Sequence, residues 1–89
     1  MTIRRRVIVR GRVQGVFFRD TCRRQARSRG VNGWVRNLPD QSVEAVFEGD
    51  EEGVARLVEF MREGPRGAQV ESVEVFEEEA EGLSSFDLR

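Results

Sequence analysis

Gly11-Arg12-Val13-Gln14-Gly15-Val16-Phe17-Phe18-Arg19 joins two different periodicities. Just upstream, Val7 and Val9 alternate about Ile8, the period of two that marks a strand. Just downstream, Phe18, Cys22 and Ala26 recur every four residues, which is one face of a helix. A glycine-punctuated loop therefore leads from a strand into a helix, with Arg19 at the helix entrance. Such a loop suits an anion. Successive backbone N–H groups in a tight turn converge on one point. The helix N-terminus adds unpaired donors and a partial positive charge, and an arginine fork matches two phosphate oxygens at once.

Outward from this loop, a first strand is expected over Arg5–Arg10, with Val7 and Val9 facing the core and Arg6, Ile8 and Arg10 facing away. The helix is expected from about Phe18 to Arg29. It ends at Gly30, which suits the left-handed C′ position, with Arg27 and Arg29 opposing the helix dipole. Trp34–Leu38 reads as a second strand and Pro39-Asp40-Gln41-Ser42 as a turn. Val43, Ala45 and Phe47 then alternate with Glu44, Val46 and Glu48 in a third strand. Asp50 is placed to cap a second helix that has Glu51 and Glu52 in its first turn. Val54, Leu57, Val58 and Met61 form its apolar face, and Gly64-Pro65 stops it. Val70–Phe76 is a fourth strand, and Phe86–Leu88 is expected as a short closing one. The order βαββαβ, with one apolar face per element, predicts an α+β fold. That fold is the ferredoxin-like plait, an antiparallel sheet covered on one face by two helices. Its crossover connection would carry the Gly11–Arg19 loop toward the segment after Trp34.

Composition limits the chemistry. At 89 residues and 38% apolar content the chain has room for one globular domain, expected over residues 1–89. It contains no His and no Tyr, and all fifteen of its basic side chains are arginine. Ser-His-Asp and Cys-His nucleophilic systems, Schiff bases and His-ligated metals are thereby excluded. One cysteine, Cys22, makes neither an internal disulfide nor a thiolate cluster, and its helical spacing predicts a core thiol. The basic N-terminus lacks the apolar run of a signal peptide, and no apolar stretch has the length of a membrane span, so a cytoplasmic protein is expected.

Charge is divided along the chain. Met1–Arg36 holds eleven arginines against one acid, Asp20, whereas Asn37–Arg89 holds four arginines against fifteen acids. Folding is expected to intersperse the two signs, with a local excess of arginine near the loop to draw in anions. The acidic run Glu77-Glu78-Glu79 is expected to be solvated. Trp34 and Phe47 are expected to be packing residues.

The Gly11–Arg19 stretch closely resembles the first signature of acylphosphatases. Gly33-Trp34-Val35-Arg36-Asn37-Leu38-Pro39-Asp40, followed by Ser42-Val43-Glu44, resembles their second. Glu48-Gly49, Gly64-Pro65 and Phe86 also fall where that family has them, so the resemblance spans about Val7–Leu88. It implies hydrolysis of the carboxyl–phosphate bond of acyl phosphates, giving a carboxylate and inorganic phosphate, with no metal and no cofactor. By position, Arg19 would bind the phosphoryl group together with the backbone of Gln14, Gly15, Val16, Phe17 and Phe18. Asn37 would orient the attacking water, and a phosphate oxygen of the substrate would take the proton. Inorganic phosphate would act as product and inhibitor. No nucleic acid, no membrane and no second subunit are expected as partners. One departure stands out: Gln41 follows Asp40 where the family has glycine. If the turn needs a positive φ there, the side chain costs on the order of 1 kcal/mol.

Three other readings compete. A non-catalytic anion-binding module would need Arg19 but not Asn37. An RNA-recognition module shares the element order, yet Arg6, Ile8 and Arg10 offer no aromatic platform for stacking bases. A piece of a larger maturation factor with an acylphosphatase-like N-terminal domain is set against the fold expected to close by Arg89.

Overall fold

Val7 and Val9 lie fully buried in the middle of an eleven-residue strand, β1 (Thr2–Arg12), in the computed structural model, which describes all of residues 1–89. There follow α1 (Phe18–Ser28), β2 (Asn32–Asn37), β3 (Val43–Asp50), α2 (Glu51–Glu63), β4 (Gln69–Glu78) and β5 (Phe86–Leu88). The expected order is present, and the sheet runs β4-β1-β3-β2-β5. The four long strands pair antiparallel. The short β5 pairs parallel to β2, so the sheet is mixed, not wholly antiparallel as expected. The chain leaves β4 at one edge and joins the far edge in the direction of β2, which no periodicity within three residues reveals.

Both helices pack on one face. Phe18, Cys22 and Ala26 of α1, with Val54, Leu57 and Met61 of α2, meet Val7, Val9, Val35, Val43, Ala45 and Phe47 from the sheet. Phe86 of β5 stacks on Phe47 with ring centroids 5.9 Å apart, and Phe18 meets Phe60 at 5.6 Å. Gly30 terminates α1 as expected, with φ 66° and its N–H donating to the Arg27 carbonyl at 3.2 Å. Asp50 does precede α2, but its side chain makes no cap bond; it is also the last residue of β3, paired with Thr2. The dipole of α2 is met instead by Glu51 and Glu52 in its first turn.

The opposite sheet face carries no helix and is closed by charge. Arg4 bridges Glu48 at 2.8 Å and Glu78 at 2.9 Å. Arg6 bridges Glu78 at 2.8 Å and Glu44 at 3.2 Å, and Arg36 reaches Glu44 at 2.6 Å. The guanidinium of Arg6 lies over Phe76, and those of Arg36 and Arg89 lie over Trp34. Trp34 is thus a packing residue, but on this face and outside the main core. Within the acidic run, Glu78 departs from expectation. It turns inward onto two arginines instead of facing solvent, because it stands beside Arg4 in the β1–β4 register.

β1 extends beyond the expected Arg5–Arg10 at both ends, pairing Thr2–Arg4 with β3 and Gly11–Arg12 with β4. Its far end crosses a bulge at Arg10/Gly11. Gly11 has φ +128°, and a Cβ there would stand 2.8 Å from the amide nitrogen of Glu71. Only glycine lets the strand stay against β4 while turning into the loop.

Candidate active site

Between β1 and α1 the chain passes through two left-handed residues, Gly15 (φ 74°) and Phe17 (φ 59°). Phe17 occupies the N-cap of α1, where no side chain caps the helix, and its carbonyl accepts the first helical bond from the Thr21 N–H at 3.0 Å. The backbone N–H groups from Gln14 through Asp20 find no acceptor elsewhere in the chain. A helix start with free donors, entered through alternating backbone handedness, is a concave anion cradle.

The loop borders a cavity of about 260 Å³ whose lining includes Gly15, Phe17, Arg19, Asp20, Asn37 and Leu88. Arg19 comes from the first turn of α1 and Asn37 from the last residue of β2, so the crossover brings the two together, as the plait predicts. The guanidinium of Arg19 has no carboxylate within 4.0 Å. It is the one arginine lining this cavity, and nothing within the chain competes for its fork. Asp20, on the same wall, is turned toward Arg23 at 2.9 Å and Arg24 at 3.3 Å, which offsets its charge beside an anion site. No group of three His, Cys, Asp or Glu side chains is arranged to hold a metal ion.

Gln14 does more than the sequence suggested. Its backbone alone was expected to matter, yet its side-chain amide donates to the Leu38 carbonyl at 3.0 Å and to the Ser42 carbonyl at 2.8 Å. It clips the loop to both stems of the β2–β3 hairpin, one residue beyond Asn37. The signal available in sequence was only the resemblance itself, since the bonds span twenty-four and twenty-eight positions. Across the turn the Gln41 N–H donates to the Leu38 carbonyl at 3.1 Å, and Asp40 accepts from the Ser42 N–H at 3.0 Å. Hydrogen bonds from the Ser42 hydroxyl and backbone hold the Asp40 carboxyl below the usual carboxylate range. Gln41 does hold a positive φ, 76°.

The sequence profile of the acylphosphatases matches residues 5–88. The chain belongs to the acylphosphatase family. An acylphosphatase of Rubrobacter xylanophilus is 62% identical over 89 residues, covering 99% of this chain and 81% of the relative. One from Haloarcula marismortui is 54% identical over 86 residues, covering 97% and 94%. Among solved structures, an acylphosphatase from Coxiella burnetii superposes with a TM-score of 0.94 at 39% identity, over 99% of this chain and 93% of that one. This acylphosphatase is therefore a hydrolase acting on acyl phosphate, built on the expected plait. No helix is long and apolar enough to cross a membrane.

Proposed function

We propose that this protein hydrolyses acyl phosphates with Arg19 and the amides of Gln14–Phe18 holding the phosphoryl group and Asn37 orienting the attacking water. The observation that carries this is the meeting of three unengaged features on one cavity: the free amides of Gly15, Phe17 and Phe18, the unpaired Arg19 and the Asn37 side chain; Gln14 and Val16 of the same loop do not line it. A phosphoryl group in transfer spreads charge over its equatorial oxygens, so fixed donors stabilise the transition state more than the ground state. An amide both donates and accepts, so Asn37 can hold a water in line with phosphorus. The water oxygen bonds to phosphorus as the bond to the bridging oxygen breaks and the carboxylate leaves. The water proton passes to a phosphoryl oxygen, since the chain has no histidine and the carboxylate on the cavity wall, Asp20, is engaged by Arg23 and Arg24.

The reading treats residues 1–89 as one domain, needing no metal or cofactor. It takes the protein to be monomeric, since ion pairs close the helix-free sheet face, and cytoplasmic, since a small domain that holds together without disulfides suits a reducing compartment.

Benzoyl phosphate hydrolysis in EDTA, for the wild type, Arg19→Ala and Asn37→Ala, tests it. Turnover is expected in the wild type, with losses of roughly a thousandfold in kcat/KM for each variant. Competitive inhibition by inorganic phosphate should disappear in Arg19→Ala and persist in Asn37→Ala. A folded wild type that binds phosphate and turns over nothing would make this an anion-binding module instead.

A further inference from the structure

Five large apolar side chains are exposed, and two of them, Phe17 at 81% and Leu88 at 39%, line the cavity that holds Arg19 and Asn37. Of the others, Met1 is the terminus, Phe76 lies under the Arg6 guanidinium, and Val75 borders a groove against α2. Phe17 is the odd one. It holds a left-handed backbone that glycine would adopt without a steric penalty, and it does so with its ring in water. The anion cradle accounts for its N–H, which every residue but proline has. It does not account for the ring, and the ring takes no part in the core.

We propose that Phe17, with Leu88, forms the acyl-group subsite and selects apolar, above all aromatic, acyl phosphates over small ones such as acetyl phosphate. This rests on the placement of the phosphoryl group in the loop. Once phosphorus is held there, the acyl carbon is one bridging oxygen away, so its substituent must project into the mouth of the same small cavity. An aryl group arriving there removes its own surface and that of Phe17 and Leu88 from water, and two rings gain the preferred offset or edge-to-face contact. A methyl group is too small to cover either side chain.

The test compares kcat/KM for benzoyl and acetyl phosphate in the wild type, Phe17→Gly and Leu88→Ala. Glycine keeps the amide and suits the left-handed backbone, so Phe17→Gly should fold. The benzoyl-to-acetyl ratio is expected to fall roughly tenfold in Phe17→Gly, chiefly through a higher KM for benzoyl phosphate, and severalfold in Leu88→Ala. Referring each variant to the wild type cancels the difference in leaving-group reactivity. A merely disturbed loop would slow both substrates alike and leave the ratio where it was. An unchanged ratio in Phe17→Gly overturns the subsite while leaving the hydrolase standing. A wild type that hydrolyses neither substrate overturns the placement of the phosphoryl group, and the subsite falls with it.

Discussion

At the scale of single residues, Gln41 shows how a local rule carries a thermodynamic cost. The Leu38–Gln41 turn places its last residue at φ 76°, a region that burdens any side chain with a Cβ. Gln41→Gly is expected to raise stability by about 1 kcal/mol, seen as a melting midpoint higher by about 4–8 °C. An unchanged or lower midpoint would mean that the hairpin carries no such strain. Cys22 makes the opposite case, a reactive group rendered inert. It has no exposure, and burial pushes its thiol well above the ordinary value. A thiol reagent at pH 8 should leave the native protein unlabelled and modify one cysteine per chain in urea. Both residues were legible in sequence, Gln41 as a departure from a motif and Cys22 as one step in a helical apolar stripe.

Elements meet at the site through Gln14. The loop before α1 and the β2–β3 hairpin belong to different parts of the chain, and its amide bonds to Leu38 and Ser42 hold them in register. Gln14→Ala keeps the backbone donor of the cradle but removes both bonds. It should lower kcat/KM by roughly ten- to a hundredfold, since small displacements of positioned groups have effects of that size, with a smaller change in the phosphate inhibition constant. Equal losses in both quantities would place Gln14 in the anion cradle itself. A comparable clamp sits at the other end of the sheet. The Glu48 carboxylate, on β3, accepts from the N–H groups of Glu81, Gly82 and Leu83 and from Arg4. It thereby anchors the segment that delivers β5, and with it Leu88, to the site. The sequence marked Glu48 as an outward position on a strand and as a point of family resemblance, but not its partners, because those are set by where the chain passes 33 to 35 residues later.

For the whole molecule, the division of charge along the chain becomes an alternation in space. The arginine-rich β1 lies between β3 and β4, both acidic on the helix-free face, so Arg4 and Arg6 each face carboxylates on two sides. Burial alone would raise the Glu48 carboxyl, but three backbone amides and Arg4 hold it below its ordinary value of 4.5. Glu78 is held low by its bonds to Arg4 and Arg6. A carboxyl whose folded value is depressed stabilises in full above its unfolded value and loses that contribution as pH falls through the folded one. Urea midpoints should therefore stay level from about pH 5 to 8 and decline below about pH 4.5, where unfolded carboxylates begin to take protons first. Glu48→Ala should cost about 3 kcal/mol at pH 7, because it leaves three amides without their acceptor and the buried Arg4 guanidinium with Glu78 as its remaining close partner, and should flatten the acid decline. A variant with the wild-type acid decline would show that Glu48 does not carry it.

Sequence by itself determined the succession of elements, the core faces and the anion-suited loop, because periodicity is a property of neighbours along the chain; the choice of Arg19 and Asn37 came from the resemblance to acylphosphatases. Tertiary structure alone decided the parallel seating of β5, the Gln14 clip, the Glu48 anchor and the inward turn of Glu78. Those depend on which strands lie side by side. Arg4 and Glu78 are seventy-four positions apart, and only the sheet order makes them partners.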